Sequence, residues 1–269
     1  MRKKIIVLST GRAGSTFISH LISAQIEGQS LHQGRCSRTL NILGNVGLCF
    51  GMENSVKGLL RLILNCAGRM GSTTDPLLSC PLTLLFSQHS EIKYYKILHL
   101  VRDPRDFVSS FMNWRRQRLR RMVLHHWVPF WQPNPWGTRD VNLFRFLKMT
   151  KFEHFCWIWA FKNHLFEKRW INDLGAEYLM IRLEDIVGPT QSPEPGRQRL
   201  ADFLNLPFLK EPDTWRNRES VNRSKNQQFT HWRKWNQNQA RILERHCGRL
   251  MAKYGYGQEA AWKGLIKSK

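Results

Sequence analysis

Three short hydrophobic runs, each followed by polar residues, predict the strands of a parallel sheet. The runs are Ile5 to Leu8, Tyr94 to Val101 and Tyr178 to Leu183. Their lengths and their β-branched residues are typical of buried strands. Segments with helical spacing separate the runs, and strands that alternate with helices favour an α/β fold. We therefore expect a single α/β domain over residues 1–269, with a mainly parallel central sheet flanked by helices.

Apolar residues with helical spacing recur between and after these runs. Asp103 as N-cap and Pro104 at the first helical position predict a strong helix start. Gly255 is a suitable stop for the last long helix. In an aromatic segment between them, Phe144 and Leu147 are among the residues expected in the core. The predicted helices have approximate bounds 15–25, 55–70, 104–122, 141–170, 199–204 and 236–254, and a short strand is predicted over 30–33.

The stretch that follows the first hydrophobic run combines a turn and a helix. Gly11 and Gly14 form the turn, and the helix begins at Ser15. The first N–H groups of a helix lack intrahelical partners, and the helix dipole favours an anion beside them. Arg12, Ser15 and Thr16 can also donate hydrogen bonds to phosphate-type oxygens. We therefore expect a P-loop-like phosphate-binding turn after the first strand.

This turn differs from the loop of nucleoside-triphosphate enzymes. The pattern GxxxxGK[ST] places a lysine directly before the serine or threonine that holds Mg²⁺. Here Gly14 precedes Ser15, and the two glycines are closer together. The simpler alternative, a tight strand-to-helix turn with a capping serine, stays open because glycine turns are common.

A second candidate anion site follows the second predicted strand. Arg102 leaves the end of that strand, and Ser110 lies about two turns into the next helix. Ligands of open α/β sheets bind at the carboxyl ends of the strands, where Arg12 and Arg102 are both expected. Two such sites on neighbouring strands suit a nucleotide phosphorylated at two positions. An ion pair of Arg102 with Asp103 or Asp106 is the alternative.

These residues resemble the motifs of the sulfotransferases that use 3′-phosphoadenosine 5′-phosphosulfate (PAPS). The 5′-phosphosulfate loop of that family is similar to residues 9–16, STGRAGST, and its 3′-phosphate motif to residues 102–106, RDPRD. Ser110 stands at the expected offset from the second motif. Segments 181–185 and 253–256 are similar to later parts of the family. The resemblance implies the sulfotransferase fold, PAPS as the co-substrate and no need for a metal.

The resemblance also implies a role for each matched residue. A hydroxyl or amine of the acceptor attacks sulfur in line, and the 3′,5′-bisphosphate leaves. Arg12 stands for the loop Lys or Arg that neutralises charge on the bridging oxygen, and Arg102 and Ser110 hold the 3′-phosphate. The 5′-phosphate contacts are expected from Gly11, Arg12, Ala13, Gly14, Ser15 and Thr16.

Three further positions bear on the resemblance. Related enzymes often carry an acid after the second strand, whereas this chain has His32 and Gln33 there. We expect His32 to act as the general base, because a histidine titrates near neutrality. A structural role for His32 is the alternative, and His99 is the next candidate base although a histidine inside a strand is more often structural. Leu183 stands where the family has an aromatic residue against the adenine.

A weak match lies near the C-terminus. Residues 222–230 loosely resemble the basic loop that covers the 3′-phosphate in the family. Arg223 and Lys225 are the candidate contacts that this match adds. A basic loop in solvent is the alternative for both residues.

The charge of the chain is strongly positive. It has 42 Lys and Arg residues against 20 Asp and Glu residues, a formal net charge of +22. Such a surface attracts anionic glycans, lipid headgroups, nucleotides or nucleic acid. No nucleic-acid recognition motif is present. An anionic acceptor, and peripheral contact with an anionic membrane or glycan, are therefore the partners we expect.

Two other classes of function remain at this point. A P-loop kinase is one, although the missing lysine before Ser15 counts against it. A non-catalytic polyanion-binding protein is the other, with the arginines of 115–121 as its contact. Those arginines also suit a solvated basic face.

Six cysteines are scattered without CxxC pairs, a pattern that argues against a zinc site and against a disulfide framework. No stretch reaches the length of roughly 20 apolar residues that spans a membrane. The short apolar run after Met1 is also too short for a signal peptide. These patterns favour a soluble, cytoplasmic protein with reduced thiols.

Overall fold

The computed structural model describes residues 4–11, 13–23, 95–116, 141–168, 177–187, 194–206 and 229–267. In this part the protein is an α/β structure with a three-stranded parallel sheet between layers of helices. The three predicted strands are confirmed with bounds shifted by a residue or so. They are β1 (Lys4–Ser9), β2 (Tyr95–Val101) and β3 (Glu177–Arg182).

The strand β2 lies between β1 and β3 and runs parallel to both. Ser9 of β1 is aligned with Leu100 of β2, and Val101 of β2 is aligned with Arg182 of β3. The carboxyl ends of all three strands therefore meet at one edge of the sheet. This edge is where ligands bind in open α/β folds.

The described helices surround the sheet and carry much of its core. They are α1 (Ser15–Ser23), α2 (Pro104–Arg116), α3 (Leu143–Lys148), α4 (Lys151–Phe166), α5 (Glu184–Val187), α6 (Glu194–Leu204), α7 (Gln237–Lys253) and α8 (Ala260–Lys267). A 3₁₀ turn, Trp232–Lys234, precedes α7. The predicted helix over 55–70, the strand over 30–33 and the end of the helix predicted to run to 122 fall outside the described residues.

The two faces of the sheet pack against different helices. Successive residues of a strand point to opposite faces. Leu98 and Leu100 join a core with apolar residues of α1 and α6. Val101 joins the other core, which α2, α4, α7 and α8 supply. His99, on the same face as Val101, contacts the ring of Phe166.

The single helix predicted over 141–170 is wrong in one respect, because the chain forms two helices there. Thr150 has an extended backbone, with φ −64° and ψ 160°, and its hydroxyl accepts a hydrogen bond from the Glu153 N–H at 3.2 Å. This capping interaction starts α4 afresh after α3 has ended. The side-chain cap competes with the continuous helix that apolar spacing alone predicts.

The prediction that Phe144 and Leu147 lie in the core is also wrong. Their side chains are 75% and 68% exposed. Residue Phe146 anchors α3 instead, and its ring contacts His154 and Trp157. Since each helical residue is rotated by about 100° from the last, an anchor at Phe146 turns these two neighbours away from the core.

In the described part, no helix is both long enough and apolar enough to cross a membrane. Two of the six cysteines, Cys156 and Cys247, lie in this part, and both are buried free thiols. The Cys247 thiol donates to the Cys156 carbonyl at 3.3 Å, and burial raises the Cys247 pKa. These two sulfur atoms therefore belong to the core between α4 and α7.

Candidate active site at the carboxyl edge of the sheet

The turn after β1 requires glycine at two positions. Gly11 and Gly14 both have φ +80°, a left-handed conformation that other residues rarely adopt. A Cβ atom on Gly14 would also lie 2.4 Å from Cδ1 of Leu183. The carbonyl of Gly14 accepts the first helical hydrogen bond, from the Ile18 N–H at 3.0 Å. The strand, the glycine turn and the helix thus follow one another as the sequence predicts.

Buried polar side chains hydrogen-bond to the backbone of this turn and of the residue before it. The Ser9 hydroxyl accepts a hydrogen bond from the Gly11 N–H at 3.3 Å, and Ser9 and Thr10 are both buried. The ammonium of Lys162, on α4, donates to the Thr10 carbonyl at 3.3 Å. The Lys162 side chain is itself buried, so its positive charge lies in a poorly solvated place beside the turn.

The sequence analysis missed Lys162. The signal that could have found it is its position on the buried stripe of α4, where Phe155, Trp159, Lys162 and Phe166 recur at helical spacing. A lysine on such a stripe must place its charge against a polar partner, because an isolated buried charge is very costly. One such partner is the Thr10 carbonyl, which immediately precedes the glycine turn.

Arg102 follows β2 at the same edge of the sheet as the turn. Because β1 and β2 are hydrogen-bonded neighbours, their ends lie about 4.8 Å apart. The Trp159 indole N–H donates to the Arg102 carbonyl at 3.0 Å and fixes its backbone. The half-buried Arg102 and the glycine turn therefore form two adjacent corners of one edge.

The second arginine of the RDPRD motif has a structural role. Arg105 is buried and forms an ion pair with Asp103 at 2.6 Å and with Glu259 at 2.7 Å. Its guanidinium lies 4.3 Å from the ring centre of Trp232 and 5.2 Å from that of Trp262. Arg105 thereby ties the start of α2 to the segment that leads into α8.

Glu184 supports the residue that follows Arg102. One carboxylate oxygen of Glu184 accepts from the Asp103 N–H at 3.0 Å, and the other accepts from the Tyr256 hydroxyl at 2.6 Å. Burial raises the pKa of Glu184 above its usual range. Segments 181–185 and 253–256, which the sequence analysis singled out, thus meet behind the Arg102 corner.

Ser110 lies about two turns into α2, half-buried. One turn further on, the Asn113 side chain donates to the Phe229 carbonyl at 3.2 Å and accepts from the Phe229 N–H at 2.7 Å. These two bonds pin residue 229 to α2. The candidate contacts Arg223 and Lys225 precede it in the chain and lie outside the described residues.

His99 is held as a neutral, buried histidine. The Asn163 amide donates to the Trp159 carbonyl at 2.9 Å, so its oxygen accepts from Nε2 of His99 at 2.8 Å. Nδ1 of His99 then accepts from the Tyr178 hydroxyl at 2.6 Å. Burial lowers the His99 pKa to about 4. His99 is therefore structural, and a role as general base does not fit its surroundings.

The described structure brings only part of the predicted site together. Gly11, the buried Ala13, Gly14 and Ser15 form the turn and the start of α1, beside the Arg102 corner. The backbone of Thr16 continues α1. The predicted residues Arg12, His32, Arg223 and Lys225 lie outside the described part, so their roles stay predictions.

No protein-family model matches this chain, and no curated protein matches it. Among solved structures, the chain is similar to one described as "Sulfotransferase Domain from the Curacin Biosynthetic Pathway". The identity is 15%, the TM-score is 0.41, and the match covers 98% of this chain and 96% of that one. Similarity at this level concerns the fold at most.

Proposed function

We propose that this protein is a sulfotransferase that moves the sulfuryl group from PAPS to a hydroxyl or amine. The observation that supports this most is the pair of corners on neighbouring strands, the glycine turn after β1 and Arg102 after β2. PAPS carries one phosphate at its 5′ position and another at its 3′ position. Two adjacent anion corners match this distribution of charge.

In this proposal the turn after β1 holds the 5′ end of PAPS. The N–H groups at the start of α1 and the Ser15 hydroxyl bind the 5′-phosphate oxygens. Arg12 neutralises charge that develops on the oxygen bridging phosphorus and sulfur. Lys162, buried beside Thr10, adds a fixed positive charge behind the turn.

The second corner holds the 3′-phosphate in this proposal. Arg102 supplies a planar guanidinium that matches two phosphate oxygens, and Ser110 supplies a hydroxyl. The backbone of Arg102 is fixed by Trp159 and, through Asp103, by Glu184. A preorganised corner loses little freedom when the ligand binds, which favours affinity.

The reaction is a direct in-line transfer. The acceptor oxygen or nitrogen forms a bond to sulfur while the bond from sulfur to the bridging phosphate oxygen breaks. The electron pair of that bond stays with the leaving 3′,5′-bisphosphate, and the acceptor proton passes to a general base, for which His32 is our candidate. Loss of one preorganised donor to the transition-state charge typically lowers the rate roughly 10²–10³-fold.

The acceptor in this proposal carries negative charge of its own. The excess of basic residues over acidic ones, 42 against 20, is larger than one bound nucleotide needs. An acidic glycan, an acidic lipid or a small anionic metabolite fits such a surface. A screen of these classes with sulfur-labelled PAPS tests this part of the proposal.

Binding of 3′,5′-bisphosphoadenosine in the presence of EDTA tests the donor assignment. Calorimetry should detect a complex that does not need Mg²⁺. Ser110→Ala should weaken it by roughly 10- to 100-fold, since a hydrogen bond to a charged group contributes about 1.5–3 kcal/mol. The neighbouring Ser109→Ala is the matched control and should bind like the wild type. Binding of ATP that requires Mg²⁺, with none of the bisphosphate, would contradict the proposal and favour a kinase.

A further inference from the structure

The short helix α3 presents two large hydrophobic side chains to solvent. Among the side chains whose exposure the structure describes, three large hydrophobic ones are exposed: Phe144, Leu147 and Val187. Phe144 and Leu147 are the most exposed of the three, and both belong to α3. Their spacing of three residues places them side by side on the helix. Single exposed apolar residues are ordinary, whereas an adjacent bulky pair calls for an explanation.

Basic residues follow each member of this pair in the sequence. Arg145 and Lys148 of α3 are exposed, and so is Lys151 at the start of α4. The helix itself, LFRFLK, contains no acidic residue. Exposed aromatic and aliphatic side chains bordered by cations are the pattern of helices that lie in the interface of an anionic membrane.

The helix is already ordered and anchored without a partner. The Asn142 side chain caps it by accepting from the Phe144 N–H at 2.8 Å. Phe146 holds it to the core, with its ring centre 4.7 Å from that of His154 and 5.8 Å from that of Trp157. A partner that binds the exposed face therefore meets a preformed surface and has little of it to order.

We propose that α3 docks this protein on the surface of an anionic lipid bilayer. Phe144 and Leu147 enter the boundary between headgroups and acyl chains, and Arg145 and Lys148 lie against the headgroup phosphates and carboxylates. A second copy of the chain fits the same face poorly, because a two-fold contact would set these cations against their own copies. This surface is independent of the sulfotransferase assignment.

Co-sedimentation with vesicles tests whether Phe144 and Leu147 contribute to membrane binding. The wild type should bind vesicles of phosphatidylcholine mixed with phosphatidylserine, and bind pure phosphatidylcholine vesicles much less. Phe144→Ser with Leu147→Ser should lower the binding to anionic vesicles ~10-fold or more, because two large apolar groups no longer leave water. Val187→Ser, at an exposed apolar residue of α5, is the matched control and should bind like the wild type. Unchanged thermal unfolding of the double variant will show that it is folded.

A second pair of variants tests whether the basic residues of α3 contribute to the binding of anionic vesicles. Arg145→Gln with Lys148→Gln should weaken binding to anionic vesicles by ~10-fold, since each basic group near the surface contributes. Arg249→Gln with Lys267→Gln removes the same charge from exposed positions of α7 and α8 and should have a much smaller effect. The proposal is overturned if the apolar double variant still binds anionic vesicles fully, or if both charge variants lose binding equally. It is also overturned if the apolar variant converts a dimer of the vesicle-free protein to a monomer.

Discussion

Gly14 is constrained by its own backbone and by its neighbour. Its φ of +80° disfavours any residue with a Cβ, and such an atom would meet Leu183 at 2.4 Å. Gly14→Ala should therefore lower the free energy of unfolding by about 1–3 kcal/mol. Urea unfolding measures this change.

A matched glycine and a double variant complete that experiment. A Cβ atom on Gly264, in α8, would lie more than 4 Å from any atom outside its own stretch of helix, so Gly264→Ala should stabilise the protein slightly. In a Leu183→Ala background, Gly14→Ala should cost less stability than in the wild type, because the clash is absent and only the part that comes from φ remains. Equal stability of Gly14→Ala and the wild type would contradict the geometry of the turn.

Lys162 is expected to act on the 5′ end of the nucleotide alone. Its ammonium contacts the carbonyl of Thr10, which lies between β1 and the glycine turn. Arg102 follows the other strand, β2. Lys162→Met should lower the affinity for 3′,5′-bisphosphoadenosine by roughly tenfold or more, as loss of a poorly solvated charge near an anion predicts. Titration calorimetry measures that affinity.

The comparison ligand for Lys162 is 3′-adenosine monophosphate, which lacks the 5′-phosphate. Its affinity should change little in Lys162→Met, and Lys162→Arg should keep part of the binding of the bisphosphate. An equal loss for the two ligands would mean that Lys162 supports the fold of the edge rather than the 5′ corner.

His99 makes stability depend on pH. Its pKa in the folded protein is about 4, below the unfolded value of 6.5, so the unfolded chain takes up the proton first as the pH falls. The His99 contribution is complete above pH 6.5 and is lost as the pH falls to 4, by up to about 3 kcal/mol. His99→Gln should be less stable at pH 7 and should lose less stability on acidification.

The difference between the variant and the wild type is the quantity to compare. Burial raises the pKa of Asp103 and Glu184, and these groups change stability in the opposite sense over the acid range. Urea unfolding at pH 7 and pH 4.5 gives the two differences. The exposed His164→Gln is the control, and a pH dependence in His99→Gln identical to that of the wild type would count against a neutral buried His99.

At the scale of the elements, the junction between β3 and α5 supports the Arg102 corner. Glu184 accepts one hydrogen bond from Asp103 and another from Tyr256. In Glu184→Gln the amide oxygen can still accept from the Asp103 N–H, and the Tyr256 hydroxyl must turn to accept from the amide NH₂. Two bonds to a carboxylate are then replaced by bonds to a neutral group, which should lower the free energy of unfolding by about 1–2 kcal/mol. The affinity for the bisphosphate should fall as well, because Arg102 loses part of its support.

Stability and affinity together separate the two effects of Glu184→Gln. The exposed carboxylate of Asp202 on α6 offers a control, and Asp202→Asn should change neither quantity by much. If Glu184→Gln binds the bisphosphate as tightly as the wild type, the β3–α5 junction has no influence on the corner.

The strands and helices also show how much of the fold could be predicted from the sequence. All three strands were predicted, because short β-branched runs and buried parallel strands are closely linked. The break between α3 and α4 was missed, since a capping threonine is easily overlooked inside a continuous apolar pattern. The exposure of Phe144 and Leu147 was missed for the same reason, because it depends on which residue of α3 meets the core.

Some residues of the candidate site could be predicted from the sequence, and others could not. Gly11 and Gly14 could be placed in a turn from the sequence, since few other residues adopt φ near +80°. Lys162 could not be assigned to that turn, because more than a hundred positions separate it from Thr10 and only tertiary packing joins them. The structural role of Arg105 was also beyond prediction, since its partner Glu259 and its aromatic neighbours come from the far end of the chain.

At the scale of the whole molecule, sheet order brings distant motifs together. The turn after β1 and Arg102 after β2 are about ninety residues apart in sequence, yet adjacent parallel strands deliver them to one edge. The C-terminal part, through Tyr256 and Glu259, braces that edge from behind. The account therefore depends on two corners that grip opposite ends of one ligand.

The most direct test of this claim removes Arg102 from the protein and the 3′-phosphate from the ligand, separately and together. The affinities of 3′,5′-bisphosphoadenosine and of 5′-adenosine monophosphate are measured in EDTA for the wild type and for Arg102→Ala, with Arg249→Ala as the exposed control. The wild type and the control should prefer the bisphosphate by ~100-fold, as expected for a charge-assisted bidentate contact together with the Ser110 hydroxyl. Arg102→Ala should lose most of that preference while still binding the monophosphate. A preference of equal size in Arg102→Ala would contradict the account.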